Sequence, residues 1–152
     1  MAKVIFTAGS PGAGKGFILK RDYSETYVVD CDRIKQSHPD YDPKNPGAVH
    51  AWSSEQATRE YFEMLAYDED FIFDGTGTDT DKLVNFINQA HLAGFETEIL
   101  YVKVSLAVAL ERNAKRARTV PVNLLKEKFA LIATAVDILS GYAMKVTTVN
   151  NS

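Results

Sequence analysis

One cysteine in 152 residues, Cys31, leaves no internal disulfide to staple the chain. Folding therefore rests on a buried core, and an oxidising compartment is not called for. No apolar stretch approaches the roughly 20 residues needed to cross a bilayer, so no membrane association is expected. Proline is scarce and clustered: three of the five fall between His38 and Gly47, which reads as a loop. Charge of neither sign dominates, with 17 Lys and Arg against 20 Asp and Glu and a net charge of −3. That balance argues against wrapping long nucleic acid, which demands many phosphate contacts, but a short end could bind at a local basic patch. Arg112, Lys115, Arg116 and Arg118 form one. Internal repeats, low-complexity tracts and linkers are absent, so residues 1–152 read as a single domain. Met1-Ala2-Lys3 runs straight into an apolar segment with no room for a signal peptide, and a cytoplasmic location is the expectation.

What the chain does contain is a glycine loop in a telling place. Gly9-Ser10-Pro11-Gly12-Ala13-Gly14-Lys15-Gly16 follows the apolar run Val4-Ile5-Phe6 and leads into Phe17-Ile18-Leu19. Strand, glycine loop and helix in that order make a phosphate-binding P-loop. Glycines let backbone N–H groups turn inward around phosphate oxygens. The helix N-terminus adds unpaired donors and a positive dipole end, and Lys15 supplies a charge for the β- and γ-phosphates. The loop thus predicts ATP as cofactor, held by residues 9–17. One departure stands out. P-loops carry Ser or Thr after the lysine to ligate Mg²⁺, and this chain has Gly16 and then Phe17. Backbone and lysine still cradle phosphate, but the loop offers no metal ligand. Adenylate kinases resemble it in carrying G-x-P-G-x-G-K-G, though with a Thr where Phe17 stands.

Strand and helix patterns alternate along the chain, which predicts an α/β fold of P-loop NTPase type. Its three layers enclose a mostly parallel sheet of four to five strands. Strands are expected at Lys3 to Ala8, Tyr27 to Asp30, Phe71 to Asp74 and Ile99 to Val104, with a fifth within Tyr142 to Val149. Helices are expected from Lys15 to Arg21 and from a Ser53–Gln56 capping box to about Leu65. Others run along Leu83, Phe86, Ile87 and Ala90 to a C-cap at Gly94, and from Ser105 through Arg116. The last has Pro121 at its first position and Leu125, Phe129, Ile132 and Val136 on one stripe.

The polar residues at strand ends carry the chemistry. In open α/β sheets ligands bind outside the carboxyl ends of the strands, where Asp30, Asp32 and Asp74 lie. A kinase needs a carboxylate to accept the proton of the attacking hydroxyl. Strand-end aspartates also cap the next helix; Asp32 is read as the base, with Asp30 open between the two roles. Asp74 ends an apolar strand as a Walker B acid does, placing it to hold Mg²⁺ through water or to bind the acceptor. Thr76 and Thr78 sit in the turn Gly75-Thr76-Gly77-Thr78, either against substrate or as solvated turn residues. Arg112 and Arg116, four apart, share one helix face and can clamp a transferred phosphoryl. His38, His50 and His91 lack metal-ligand spacing, and Trp52 reads as a packing anchor.

In this order the motifs resemble phage-type polynucleotide 5′-hydroxyl kinases, most closely over Val4 to Lys15 and from Ala109 to Leu125. The middle is similar to the zeta-toxin kinases, which phosphorylate UDP-N-acetylglucosamine, at Val29 to Asp32, Lys35 to Pro39 and Asp74 to Gly77. Both are P-loop kinases, so the resemblance implies phosphoryl transfer to a hydroxyl. It implies that Lys15 contacts ATP phosphates, Asp32 is the general base and Arg116 clamps the phosphoryl with Arg112 assisting. Lys35 falls where the polynucleotide kinases place an arginine on the acceptor's 3′ phosphate. Thr76 matches the zeta toxins' substrate-binding threonine, but their arginine two residues later is Thr78 here. Arg118 is a further substrate-binding candidate. The expected activity is an ATP- and Mg²⁺-dependent kinase acting on a 5′-hydroxyl end or a nucleotide-like hydroxyl. The alternatives are a zeta-toxin-type small-molecule kinase and a weakened nucleotide-binding protein.

Overall fold

The computed structural model describes residues 1–116 and 119–152. Five strands, β1 (Lys3–Ala8), β2 (Tyr27–Asp30), β3 (Phe71–Asp74), β4 (Glu96–Lys103) and β5 (Lys145–Asn150), form one sheet in the order β2-β3-β1-β4-β5. Every pairing is parallel. The helices are α1 (Lys15–Asp22), α2 (Cys31–Gln36), α3 (His50–Met64), α4 (Thr80–Leu92), α5 (Leu106–Ala114) and α6 (Val122–Ser140).

Strand alternation sorts the core onto two faces. Val4, Phe6, Phe71, Phe73 and Ile99 face α3, α4 and α6, where Tyr61, Phe86, Ile87, Ile132 and Leu139 meet them. Ile5, Ile72, Leu100 and Val102 face α1 and α5, against Ile18, Leu19 and Ala109. Tyr61 is the hub of the first layer, stacked on Phe86 at 4.2 Å with its hydroxyl donating to the Phe86 carbonyl at 2.7 Å. Both faces of the sheet are covered, as near-continuous apolar strands require. Because β3 lies on one side of β1 and β4 on the other, the chain reverses its winding at the carboxyl end of β1. The glycine loop occupies that switch point, where such sheets open a crevice.

Several boundaries differ from the sequence expectation. Helix α2 was not anticipated; the Asp30 carboxylate caps it, accepting from the amides of Asp32 at 2.9 Å and Arg33 at 3.3 Å. The Ser53–Gln56 capping box is not used. A 3-10 turn, Pro46–Val49, runs directly into α3, so Ser53 is interior and donates to the His50 carbonyl at 2.9 Å. Strand β4 starts three residues early because Thr97 and Glu98, polar by type, are buried in it. Thr97 pairs with His91 at 2.8 Å, a structural role for that histidine, while Glu98 lies near Lys3 and Lys145. Helix α5 ends at Ala114 rather than Arg116, and Pro121 is the N-cap of α6 rather than its first residue. Ser105 caps α5 as expected, accepting from the Val108 amide. Among the described residues no helix is long and apolar enough to cross a membrane.

Candidate active site

The loop between β1 and α1 is shaped by its glycines. Gly12 and Gly14 adopt φ of 86° and 85°, the left-handed region that side chains resist. A Cβ on Gly12 would stand 2.7 Å from the Ala109 carbonyl oxygen, and one on Gly9 2.9 Å from that of Val102. Gly16 is different. Its φ is ordinary and a Cβ there meets nothing within 4 Å, so no packing demand excludes the missing hydroxyl. Ser10 and Ala13 are buried within the loop, and the Ala13 amide closes a turn onto the Ser10 carbonyl at 3.0 Å. Phe17 lies 60% exposed on the first turn of α1, beneath the Arg21 guanidinium.

Lys15 is the first residue of α1, and its ammonium bends back to the Gly9 carbonyl at 3.2 Å. Burial lowers its pKa, while the carboxylates of Asp74 and Asp32 oppose that shift. Asp74 sits at the end of β3, in register with Asp30 at the end of β2. Burial pushes the Asp74 carboxyl upward; Lys15 and a 2.6 Å hydrogen bond donated by Thr7 pull it down, and Asp30 and Asp32 push it up again. Thr7 also accepts from the Gly75 amide at 2.8 Å, tying the strand-end acid to the turn behind it. Asp74 thus presents oxygen ligands of the kind Mg²⁺ takes, one carboxylate beside the place for phosphates. Among the described residues no group of three or more His, Cys, Asp or Glu could hold a metal alone.

Asp30 and Asp32 divide their work. Asp30 is engaged as the α2 cap, whereas Asp32 is exposed on the first turn of α2, where its charge acts on Lys15, Asp74 and His50. Lys35, expected on an acceptor phosphate, is buried at 9% exposure with its ammonium 3.3 Å from His50 Nδ1. Burial, followed by the charges of Lys35, Lys82 and Lys128, holds the His50 pKa down. The neutral ring then accepts from Lys35. Lys82 reaches the same region over the rings of Phe73 and Phe86, donating to Ser54 at 3.3 Å.

The turn after β3 turns inward more than outward. Gly77, at φ 85°, packs so closely that a Cβ would sit 2.7 Å from the Ala8 methyl. The Thr76 carbonyl accepts from the Gly9 amide at 3.1 Å, and its hydroxyl pairs with that of Thr78 at 3.0 Å. Thr76 therefore joins turn and loop through its backbone.

Arg112 and Arg116 do not share a helix face, because α5 ends between them. The Arg112 guanidinium lies instead against the loop's outer side, donating to the carbonyls of Gly12, Ala13 and Asn151 at 3.4, 3.3 and 2.6 Å. That geometry does not fit the assisting clamp expected of it. Arg116 is exposed in the turn beyond α5, and its charge is felt at Lys15. Asn113 bridges this stretch, donating to the Val120 carbonyl at 2.8 Å and accepting from its amide at 2.9 Å. Arg118 lies outside the described residues. Thr7, Lys82, Lys128 and Asn151 escaped the sequence reading, and His50 entered it only as a histidine without metal-ligand spacing. Only tertiary contact draws them in, and none belongs to a local motif.

Comparison with known proteins agrees with the fold. A chain from the PezAT chromosomal toxin–antitoxin system of Streptococcus pneumoniae superposes with a TM-score of 0.74 at 12% identity, over 99% of this chain and 68% of that one. A chain of the AvrRxo1-ORF1:-ORF2 complex with ATP gives 0.77 at 13% identity, over 100% and 55%. Shikimate kinase from Acinetobacter baumannii, in complex with shikimate, gives 0.59 at 14%, over 100% and 86%. At such identities the likeness is one of fold, and the chain spans little more than half of the AvrRxo1 chain. No curated protein matches the sequence. The Zeta toxin family profile matches residues 2–151, including both ends where the polynucleotide-kinase resemblance is closest. With the sheet, the loop and that match in agreement, the chain belongs to the zeta toxin family, whose fold is that of the P-loop kinases.

Proposed function

We propose that the protein transfers the γ-phosphoryl group of ATP to a hydroxyl of a small, nucleotide-like acceptor. The observation that carries this reading is the loop with left-handed Gly12 and Gly14, its Lys15 facing a strand-end crevice that contains Asp74 and Asp32. In this mechanism the loop amides and Lys15 hold the β- and γ-phosphates, the ammonium leaving the Gly9 carbonyl for a phosphate oxygen. The acceptor hydroxyl attacks the γ-phosphorus, its proton passes to an Asp32 carboxylate oxygen, and the bond to ADP breaks. Arg116 stabilises charge on the phosphoryl in transit. Asp74 would hold Mg²⁺ through water, and the ion would neutralise phosphate charge. Thr76, Lys35 and Arg118 remain candidates for the acceptor side.

A small-molecule acceptor is favoured over a nucleic-acid end by the family match across residues 2–151 and by the acidic net charge. The two fold relatives named for assemblies, PezAT and AvrRxo1-ORF1:-ORF2, favour a protein partner over a nucleic-acid one. The test is γ-phosphate transfer from labelled ATP to a panel of UDP-sugars, nucleotides, nucleosides and 5′-hydroxyl oligonucleotides. Labelling of a nucleotide-like small molecule is expected. Labelling of oligonucleotides alone would move the reading to end phosphorylation. ATP binding without transfer to any acceptor would leave a nucleotide-binding protein.

A further inference from the structure

The outer side of the phosphate-binding loop is bound by Arg112 and by Asn151, a residue that no motif contains. We propose that Arg112 and Asn151 are positioning residues, which hold the loop's carbonyls outward so that the Gly14 amide faces the phosphates. The proposal rests on the ATP-binding reading above. In a trans peptide the carbonyl of one residue and the amide of the next point in opposite directions. The Ala13 carbonyl is held from outside by two donors, Asn151 Nδ2 at 2.8 Å and Arg112 at 3.3 Å. The Gly14 amide is thereby committed to the inner side. The Gly12 carbonyl is held by the same guanidinium, while the following amide, that of Ala13, closes onto Ser10.

The bracket is itself anchored. The Asn151 amide donates to the Lys103 carbonyl at 2.8 Å at the end of β4, and its carbonyl receives Arg112 at 2.6 Å. The Asn151 side chain also lies against the face of Gly14 where a Cβ would stand, so the left-handed glycine is what admits it. Arginine suits this place because its planar fork reaches the loop and residue 151 together, which a lysine ammonium cannot match. A loop preset in this way binds phosphate without having to order itself first.

The test is equilibrium binding of ATP and ADP to the full chain, with the Michaelis constant for ATP and turnover measured separately where transfer is detected. Asn151→Ala should weaken both nucleotides by about tenfold, the scale of one lost hydrogen bond to a committed group. Asn151→Asp should weaken them further, since it keeps the shape but turns an acceptor toward the Ala13 carbonyl. Arg112→Lys should weaken them despite keeping its charge. In each variant the Michaelis constant for ATP should change more than turnover. Ser105→Ala removes the α5 cap away from the loop, and should lower the melting temperature while leaving nucleotide affinity within twofold. If Asn151→Ala does not fold, the Asp and Lys variants carry the test. Nucleotide affinity within twofold of wild type in the folded variants would overturn the positioning role and leave the kinase reading standing. A wild type that binds neither nucleotide would overturn both.

Discussion

Gly16 occupies a position where a hydroxyl is expected and nothing around it requires a glycine. Glycine within a helix costs about 0.5–1 kcal/mol relative to alanine. Gly16→Ser should therefore stabilise α1 by a few tenths of a kcal/mol, and should maintain or raise turnover while tightening its Mg²⁺ dependence. Thermal unfolding and a Mg²⁺ titration of phosphoryl transfer measure the two effects; a loss of turnover would count against metal handling at this position. Lys15→Ala should abolish transfer with the fold retained, as far-ultraviolet dichroism can confirm. Asp32→Asn should lower turnover by about 10²–10⁴-fold with little change in ATP affinity. Asp30→Ala should act mainly on stability, because Asp30 caps α2, and Asp30→Asn, which can keep the cap, should change little. A larger turnover loss from Asp30→Asn would reverse that assignment. Asp74 makes a pH-dependent prediction. Its folded-state carboxyl is raised above the ordinary 3.8, mainly by burial. Its protonated form thus favours folding, and that contribution is present below pH 4 and lost as the pH rises through the folded value. Asp74→Asn keeps an acceptor for Thr7 and should raise the melting temperature at neutral pH, with the gain vanishing in acid.

At the scale of elements, the Asn113 side chain ties the end of α5 to Val120, just before α6. Asn113 is buried at 4% exposure and satisfies both the amide and the carbonyl of Val120. Asn113→Ala would strand those groups at a cost of about 1–3 kcal/mol, seen as a lower urea midpoint. Turnover should fall as well, since Arg116 lies within the stretch that Asn113 closes. A variant as stable and active as the wild type would show that the bridge holds nothing. Helix α2 makes a related point about legibility. Its six residues carry too little periodicity to be read as a helix, yet the sequence shows its cap, Asp30, as a strand-end aspartate. The capping contacts engage the Asp30 carboxylate, and Asp32 follows two residues later in the first turn of α2.

For the whole molecule, ligand binding and stability are linked. A nucleotide that binds only the folded state, at 100 times its dissociation constant, adds about 2.7 kcal/mol of stability. ADP should therefore raise the melting temperature of the wild type, and Lys15→Ala should remove most of the shift. An equal shift in both proteins would place the nucleotide somewhere other than the loop. The linkage follows from the architecture, since the loop sits where β1 meets the reversal of winding. It is braced there by Thr76 on one side and by Asn151 and Arg112 on the other.

Local chemistry was enough to read much of this protein from its residues alone. The apolar runs of β1 and β3 mark buried parallel strands, the loop glycines mark a phosphate cradle, and Ser105 marks a helix start. Each depends on neighbours a few residues away, so their spacing in the chain is their spacing in space. What lies far apart in the chain could be decided only by folding. Sheet order brought Asp30 beside Asp74 and set Thr7 under that acid, and it carried residue 151 back to Ala13. Burial alone turned Thr97 and Glu98 into strand interior and drew Lys35 against His50. The end of α5 at Ala114, stapled by Asn113 to Val120, separated two arginines that helical spacing had placed on one face. The loop's identity is thus a matter of sequence, and the side chains that hold it in shape are a matter of packing across the sheet.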